Sequence, residues 1–272
     1  STTASQVEEQ FDPEEKVTTC TVFESTCNLV SLLSGSGMLS LPFAAAQVGW
    51  SALFLLVLIC ALFMYSFELL ATSVEGVYEQ RVQSYSRPIS YYKIDYLTLG
   101  KLSFGKYGDK IVMIMLGTEL ALALVSFFIN IGISINVIYS DIPVTLGILI
   151  AATITCIMSF ANLKTISVSS ALGLLLTLLI IVALFASGYQ LTDTSMLNSR
   201  EYTYFNMSGL PISLGLIAFC FGGHGVFPTM YTSMRERHRY REVLWSTAAV
   251  ILCVYIVIMA AGYAFFAQYT QS

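Results

Sequence analysis

Two stretches of small residues interrupt otherwise apolar runs, and each is followed by a proline. The first is Ser34-Gly35-Ser36-Gly37 with Pro42, and the second is Gly222-Gly223-His224-Gly225 with Pro228. Glycine and proline weaken a helix, and an unwound segment leaves N–H and C=O groups without helical partners. In lipid, such groups are tolerated only where they line a protein-enclosed cavity. A half-helix N-terminus offers N–H groups and a positive dipole end to an anion, while unwound carbonyls accept from an ammonium or a cation. A zwitterion carrying a carboxylate and an ammonium satisfies both halves. Small residues also allow close helix packing, but two interrupted runs together favour an unwound ligand site.

Ionisable residues inside apolar runs are costly and are functional candidates by default. Four qualify: His224, Glu119, Glu68 and Glu24. His224 sits in the second interruption, where it is either a proton-coupling site or a hydrogen-bonded support for the unwound backbone. Glu119 is either a proton relay or an interfacial ion-pair partner. Glu68 lies near the end of the second apolar run and is expected to pair with the ends of the first or sixth. Glu24 sits at the mouth of the first, where an acid suits the helix dipole and could gate against a nearby Arg or Lys.

No nucleophile–base constellation, zinc motif or phosphate-binding loop is present, and the histidines are only His224 and His238. An enzyme, a bound cofactor and a metal site are therefore not expected. The six cysteines match no disulfide or metal framework and read as small buried hydrophobes. A net charge of −4 offers no basic field for nucleic acid.

The elements that must position these groups are membrane helices. Of 272 residues, 56% are hydrophobic and 11% charged, with a mean hydropathy of +0.73. A bilayer core takes roughly 20 apolar residues per helix. Seven such runs are expected, at about 23–48, 50–74, 111–139, 143–160, 166–189, 211–231 and 243–269. The first twenty residues read as a mobile acidic tail without a secretory signal. Residues 75–110 mix aromatic and charged side chains and read as short interfacial helices. With seven spans, twelve of the thirteen Lys and Arg residues share one side and Arg200 stands alone on the other. The excess marks the cytosolic face and places the N-terminus there. Asn206-Met207-Ser208 is a glycosylation sequon on the opposite side. A seven-helix receptor is disfavoured by that orientation. Interruptions five helices apart fit two inverted five-helix repeats, the first complete and the second represented by its first two helices.

Several segments resemble the amino acid/auxin permease family, within the leucine-transporter-like superfamily, and especially its vacuolar and vesicular branch. They are Asn28-Leu29-Val30 through Ala44 with Gly49-Trp50, Ser90-Tyr91 through Gly100 with Phe104-Gly105-Lys106-Tyr107-Gly108, Asn162 to Ser167, and Gly222 to Met234. The likeness extends over Val22 to Gln268. It implies an all-α polytopic fold with inverted repeats, in which about eleven helices are usual. It implies secondary active transport of amino acids by alternating access, with helices three and four rocking against one, two, six and seven. By the same likeness, backbone N–H groups of Ser34, Gly35, Ser36 and Gly37 would meet the substrate carboxylate. Carbonyls of Phe219, Cys220, Phe221 and Gly222, with Gly223 beside them, would meet the ammonium. Helix three would add Leu122, Ser126 or Asn130. A proton is the expected coupling ion and Na⁺ the alternative; an amino acid sensor with little transport is a further reading. The compartments implied are vacuole, lysosome or synaptic vesicle.

Overall fold

The computed structural model describes residues 20–85, 94–158, 163–191, 201–267 and 270. The expected acidic tail, the Ser90-Tyr91 motif and Asn162 lie outside the described residues. The regular elements among the described residues are helices, joined by turns and short loops, with one isolated bridge between Cys20 and Met234.

The first helix, α1 (Val22–Leu33), begins with a capping box. The Thr21 hydroxyl accepts from the Glu24 N–H at 3.3 Å, and the Glu24 carboxylate accepts from the Thr21 N–H at 2.8 Å. Each side chain satisfies a donor that the first turn leaves open. The helix stops at Ser34. A short 3₁₀ turn (Ser36–Ser40) follows, and then α2 (Leu41–Val48), bent by 49° from α1. Pro42 falls in the first turn of α2, where its missing N–H has no helical partner to lose.

Next comes α3 (Ser51–Tyr85), 35 residues long. At 1.5 Å per residue it spans about 50 Å, well beyond the roughly 30 Å of a hydrocarbon core. It therefore runs on past the expected end at residue 74, and part of the expected interfacial segment is a continuation of this helix. Its buried residues Ala52, Leu56, Ile59, Cys60, Met64, Phe67, Ala71 and Val74 recur at helical spacing and form one stripe. The remaining helices are α4 (Tyr96–Phe104), α5 (Gly108–Ile138), α6 (Val144–Met158), α7 (Leu163–Leu191), α8 (Leu210–Cys220), α9 (Phe227–Ser233) and α10 (Tyr240–Phe266).

Among the described residues, four helical stretches are long and apolar enough to cross a membrane: Ser51–Gln80, Tyr96–Ile138, Met207–Ser233 and Arg237–Phe266. The bent pair α1 and α2 makes a fifth, and shorter apolar helices occur at Val144–Ile157 and Leu175–Gln190. The core lies among α1, α2, α3, α8, α9 and α10, whose buried side chains form one continuous cluster. Helix α10 supplies its spine through Val243, Thr247, Ile251, Tyr255, Ile258, Met259 and Tyr263. By contrast, α5 buries only Gly108, Val112 and Gly132 among its own residues. It packs on α6 backbone to backbone: a Cβ built on Gly147 would lie 2.9 Å from the Gly132 Cα.

The turn between α2 and α3 depends on Gly49, whose φ is +84°. Residues 203–206 dock there. Thr203 and Tyr204 carbonyls accept from the Trp50 and Ser51 N–H groups at 3.0 Å, and the Asn206 N–H donates to Val48 O at 3.0 Å. Gly49→Ala is expected to lower the thermal midpoint of the detergent-solubilised protein. The left-handed backbone alone costs an L-residue about 1–2 kcal/mol, and the new Cβ would run into the Thr203 carbonyl. Size-exclusion after graded heating reads the effect; an unchanged midpoint would show that this docking contributes nothing.

Candidate functional site

The two interruptions meet face to face. A Cβ on Gly37 would sit 3.2 Å from the Phe219 ring and 3.3 Å from the Cys220 Cα and Sγ. A Cβ on Gly223 would sit 3.3 Å from Leu32 and 3.4 Å from Leu33. Each break is thus packed against the end of the other half-helix, and glycine is what permits the approach. The second break has the same construction as the first. Helix α8 ends at Cys220, a 3₁₀ turn covers His224–Val226, and α9 starts at Phe227 with Pro228 in its first turn.

The backbone groups assigned to substrate divide into engaged and open sets. The Ser34 N–H donates to Val30 O at 2.8 Å and the Gly35 N–H to Leu33 O at 2.7 Å. Ser36 and Gly37 start the 3₁₀ turn, where the first N–H groups of a helical segment lack partners inside it. On the other side, Phe219 O accepts from the Gly222 N–H at 3.1 Å, and Cys220 O accepts from the Tyr255 hydroxyl at 2.8 Å. Among the described residues, no backbone N–H outside the helices reaches the Phe221 or Gly222 carbonyl. Among the described residues, the groups left without a backbone partner outside the helices are therefore the N–H groups of Ser36 and Gly37 and the carbonyls of Phe221 and Gly222.

His224 turns toward α3. Its Nε2 lies 3.0 Å from Ser66 Oγ, its ring stacks on Phe67 at 4.4 Å, and it meets Phe63 edge-on at 4.9 Å. Phe221 lies between Phe63 (5.6 Å) and Tyr255 (5.4 Å), and Phe227 stands 4.7 Å from Phe67. This aromatic column holds the second break between α3 and α10. Among the described residues, His224 is the only imidazole or carboxyl within either break.

The glutamates lie elsewhere. Glu24 is exposed and bonded to Thr21, so it caps its own helix. Glu68 pairs with Arg241 at 2.5 Å, at the start of α10. That corrects the expected partner, which was placed at the ends of the first or sixth spans: the start of the seventh comes nearer because α10 packs along α3. Glu119 is exposed on α5. Glu75, not singled out by the sequence, accepts from the Tyr231 hydroxyl at 2.6 Å and fastens α9 to the extended end of α3.

Helix α5 reaches the breaks through residues the sequence did not single out. Phe127 comes within 3.9 Å of a Cβ on Gly35, and Leu116 within 3.0 Å of one on Gly225. Asn130, three residues beyond Phe127, shares that side of the helix but is exposed, whereas Ser126 is turned away by about 100° and half-buried. Leu122 is 66% exposed. Apolar side chains gave no sign in the sequence of which face they would turn.

Beyond the breaks the half-helices are fastened again. The Cys20 N–H donates to Ser233 O and the Arg235 N–H to Cys20 O, both at 2.9 Å, so the entry of α1 and the exit of α9 are joined. A cavity of about 20 Å³ lies behind this junction, lined by residues including Leu29, Phe227, Tyr231 and Leu244, with the buried Ser25 hydroxyl among its lining atoms. It has room for a water molecule and not for an amino acid. No group of three or more metal-ligating side chains occurs among the described residues.

A multi-pass, all-helical membrane protein with two helices broken against each other is the class that this arrangement defines. A family model described as transmembrane amino acid transporter protein matches residues 18–272. The chain belongs to that family, the amino acid/auxin permeases. Amino acid transporters AVT1B and AVT1C of Arabidopsis thaliana are each 28% identical to it over 260 residues, which is 92% of this chain and 45% and 44% of theirs. Amino acid transporter AVT1J of the same plant is 27% identical over 264 residues, 93% of this chain and 59% of its own length. The chain spans about half the length of the curated relatives it matches. No solved structure matches it.

Proposed function

We propose that this chain carries the substrate site of a proton-coupled secondary amino acid transporter that works by alternating access. The observation that carries the reading is the meeting of the two breaks, Gly37 against Cys220 and Gly223 against Leu32 and Leu33. It brings open N–H groups and open carbonyls together, which is what a zwitterion requires. Family membership and relatives named as amino acid transporters support the substrate class. The separation of a packed core (α1, α2, α3, α8, α9 and α10) from the α5–α6 pair supports a bundle that rocks against a scaffold, and an inverted-repeat fold supplies such a division. In this reading Ser36 and Gly37 bind the carboxylate, Phe221 and Gly222 bind the ammonium, and Phe127 covers the first break.

His224 is the proposed proton acceptor, because it is the titratable ring within either break that the described residues offer. Coupling to Na⁺ is disfavoured by the Tyr255 hydroxyl, which already supplies a donor to the two converging carbonyls of Leu33 and Cys220. An acidic organelle such as a vacuole, lysosome or vesicle is the proposed location, with the N-terminus in the cytosol and residues 201–206 in the lumen.

Uptake of a panel of labelled amino acids by proteoliposomes containing the full-length natural protein tests the function. Uptake of a subset, driven by a pH gradient and indifferent to replacing Na⁺ by K⁺, is expected; absence of uptake under every gradient would overturn the reading. Orientation has its own test. Asn206 is exposed, its Oδ1 accepting from the Ser208 hydroxyl at 2.7 Å and its Nδ2 donating to Gln47 O at 3.0 Å. A glycosidase-sensitive gel shift that disappears in Asn206→Gln is expected, and retention of the shift in that variant would remove Asn206 as the acceptor.

A further inference from the structure

Both half-helices run into the breaks with their C-terminal ends converging. Leu33 is the last residue of α1 and Cys220 the last of α8. The final carbonyls of a helix have no intrahelical donor and carry the negative end of its dipole. Two such ends brought together in a low-dielectric interior repel each other unless a donor or a cation stands between them; the Gly35 N–H serves Leu33 O from within its own break, at 2.7 Å, and does not bridge the two ends. One group stands there. The Tyr255 hydroxyl, from α10, lies 2.6 Å from Leu33 O and 2.8 Å from Cys220 O. Tyr255 is 0% exposed, and its ring meets Phe221 edge-on at 5.4 Å. A hydroxyl carries a single proton, so it serves both carbonyls in a three-centre bond or alternates between them.

We propose that Tyr255 is the positioning residue of the site: its hydroxyl ties the last residue before each break to the other and so sets the distance between the carboxylate half and the ammonium half. This rests on the transporter reading above, but the contact itself does not depend on it. Ser36 and Gly37 follow Leu33 by only a few residues, and Phe221 and Gly222 follow Cys220 directly. Fixing Leu33 to Cys220 therefore fixes the open N–H groups relative to the open carbonyls. Without the hydroxyl each half persists but their spacing drifts, and the substrate must order it on binding. Substrate affinity should fall while the transport cycle, once loaded, continues.

The test uses Tyr255→Phe in the full-length natural protein, with Tyr263→Phe as its control. Tyr263 lies two turns further along the same face of α10, is 2% exposed, and accepts from the Thr203 N–H at 2.9 Å, away from the breaks. A merely structural role predicts lower yield for both variants with KM unmoved. The expected result is a KM raised at least about tenfold in Tyr255→Phe alone, equivalent to about 1.4 kcal/mol, with maximal rate little changed. The substrate is the labelled amino acid that the wild type takes up best. Tyr255→His, which keeps a ring N–H donor, is expected to fall between the two and carries the test if the phenylalanine variant does not fold.

A second measurement needs no transport. Cys220 is 3% exposed, and its Sγ faces Gly37. Alkylation by N-ethylmaleimide, followed at the Cys220 peptide by mass spectrometry, should run at least about tenfold faster in Tyr255→Phe than in wild type or Tyr263→Phe, the same factor as in KM. Equal alkylation in all three proteins overturns the proposal, as does an unmoved KM in an active transporter. Should the wild type take up no amino acid at all, the transporter reading fails, and the alkylation rates decide the role of Tyr255 on their own.

Discussion

Gly37→Leu is expected to reduce amino acid uptake by the full-length protein to background while leaving membrane insertion intact. The position of its missing Cβ lies 3.2 Å from the Phe219 ring and 3.3 Å from the Cys220 Cα. Even a first carbon is tighter there than ordinary contact, and the rest of a leucine has no room unless α1 and α8 part. Overpacking typically costs about 1–3 kcal/mol, which a bundle held by many contacts can absorb. The site cannot absorb it, because a displacement of about 1 Å in a positioned constellation removes about a hundredfold of activity. Gly35→Leu should be milder, since the nearest atoms to its Cβ position are at 3.9 Å. Uptake in proteoliposomes, normalised to inserted protein, separates the two. Uptake by Gly37→Leu comparable to wild type would show that the meeting of the breaks is not where substrate binds.

His224→Gln is expected to abolish acceleration and accumulation by a pH gradient. Each pH unit is worth about 1.4 kcal/mol per transported proton, or roughly tenfold accumulation of the substrate. Glutamine keeps a donor for Ser66, which lies 3.0 Å from the imidazole Nε2, but does not titrate. Accumulation should therefore collapse to the level reached without a gradient, while exchange of labelled for unlabelled amino acid continues. The sign is diagnostic. A support for the backbone would reduce both activities together and leave the shape of the pH dependence unchanged. Accumulation that survives the substitution would return His224 to that supporting role, stacked on Phe67.

Much of this site was legible along the chain. The two glycine-rich interruptions and their following prolines are local chemistry. Glycine weakens a helix wherever it stands, and proline in the first turn of a new helix lacks an N–H that would have found no partner there. The breaks accordingly fall at residues 34–40 and 221–226, where the small residues lie. Hydropathy marked the apolar helices for the same reason, since it sums properties of neighbouring residues. The length of α3 was less legible. Its polar continuation to Tyr85 resembles a loop in composition, and its attachment through Glu75 to Tyr231 comes from a residue 156 positions away.

Side-chain partners were not legible at all. In a membrane helix nearly every residue is apolar, so the contrast between buried and exposed faces that marks a soluble helix is absent. Glu68 was expected near the first or sixth span and pairs with Arg241; Leu122, Ser126 or Asn130 were expected from α5, and Phe127 and Leu116, which the sequence did not single out, also approach the breaks. Nothing in its neighbours marks Tyr255 among the chain's aromatic residues, yet its hydroxyl reaches the carbonyl of Leu33, 222 residues away. Composition and helix-breaking residues, which act through near neighbours, were enough to make this a membrane protein with two interrupted helices. That the interruptions face each other, and that one tyrosine joins them, was decided by how the helices pack, because those contacts link residues whose separation along the chain carries no local signal.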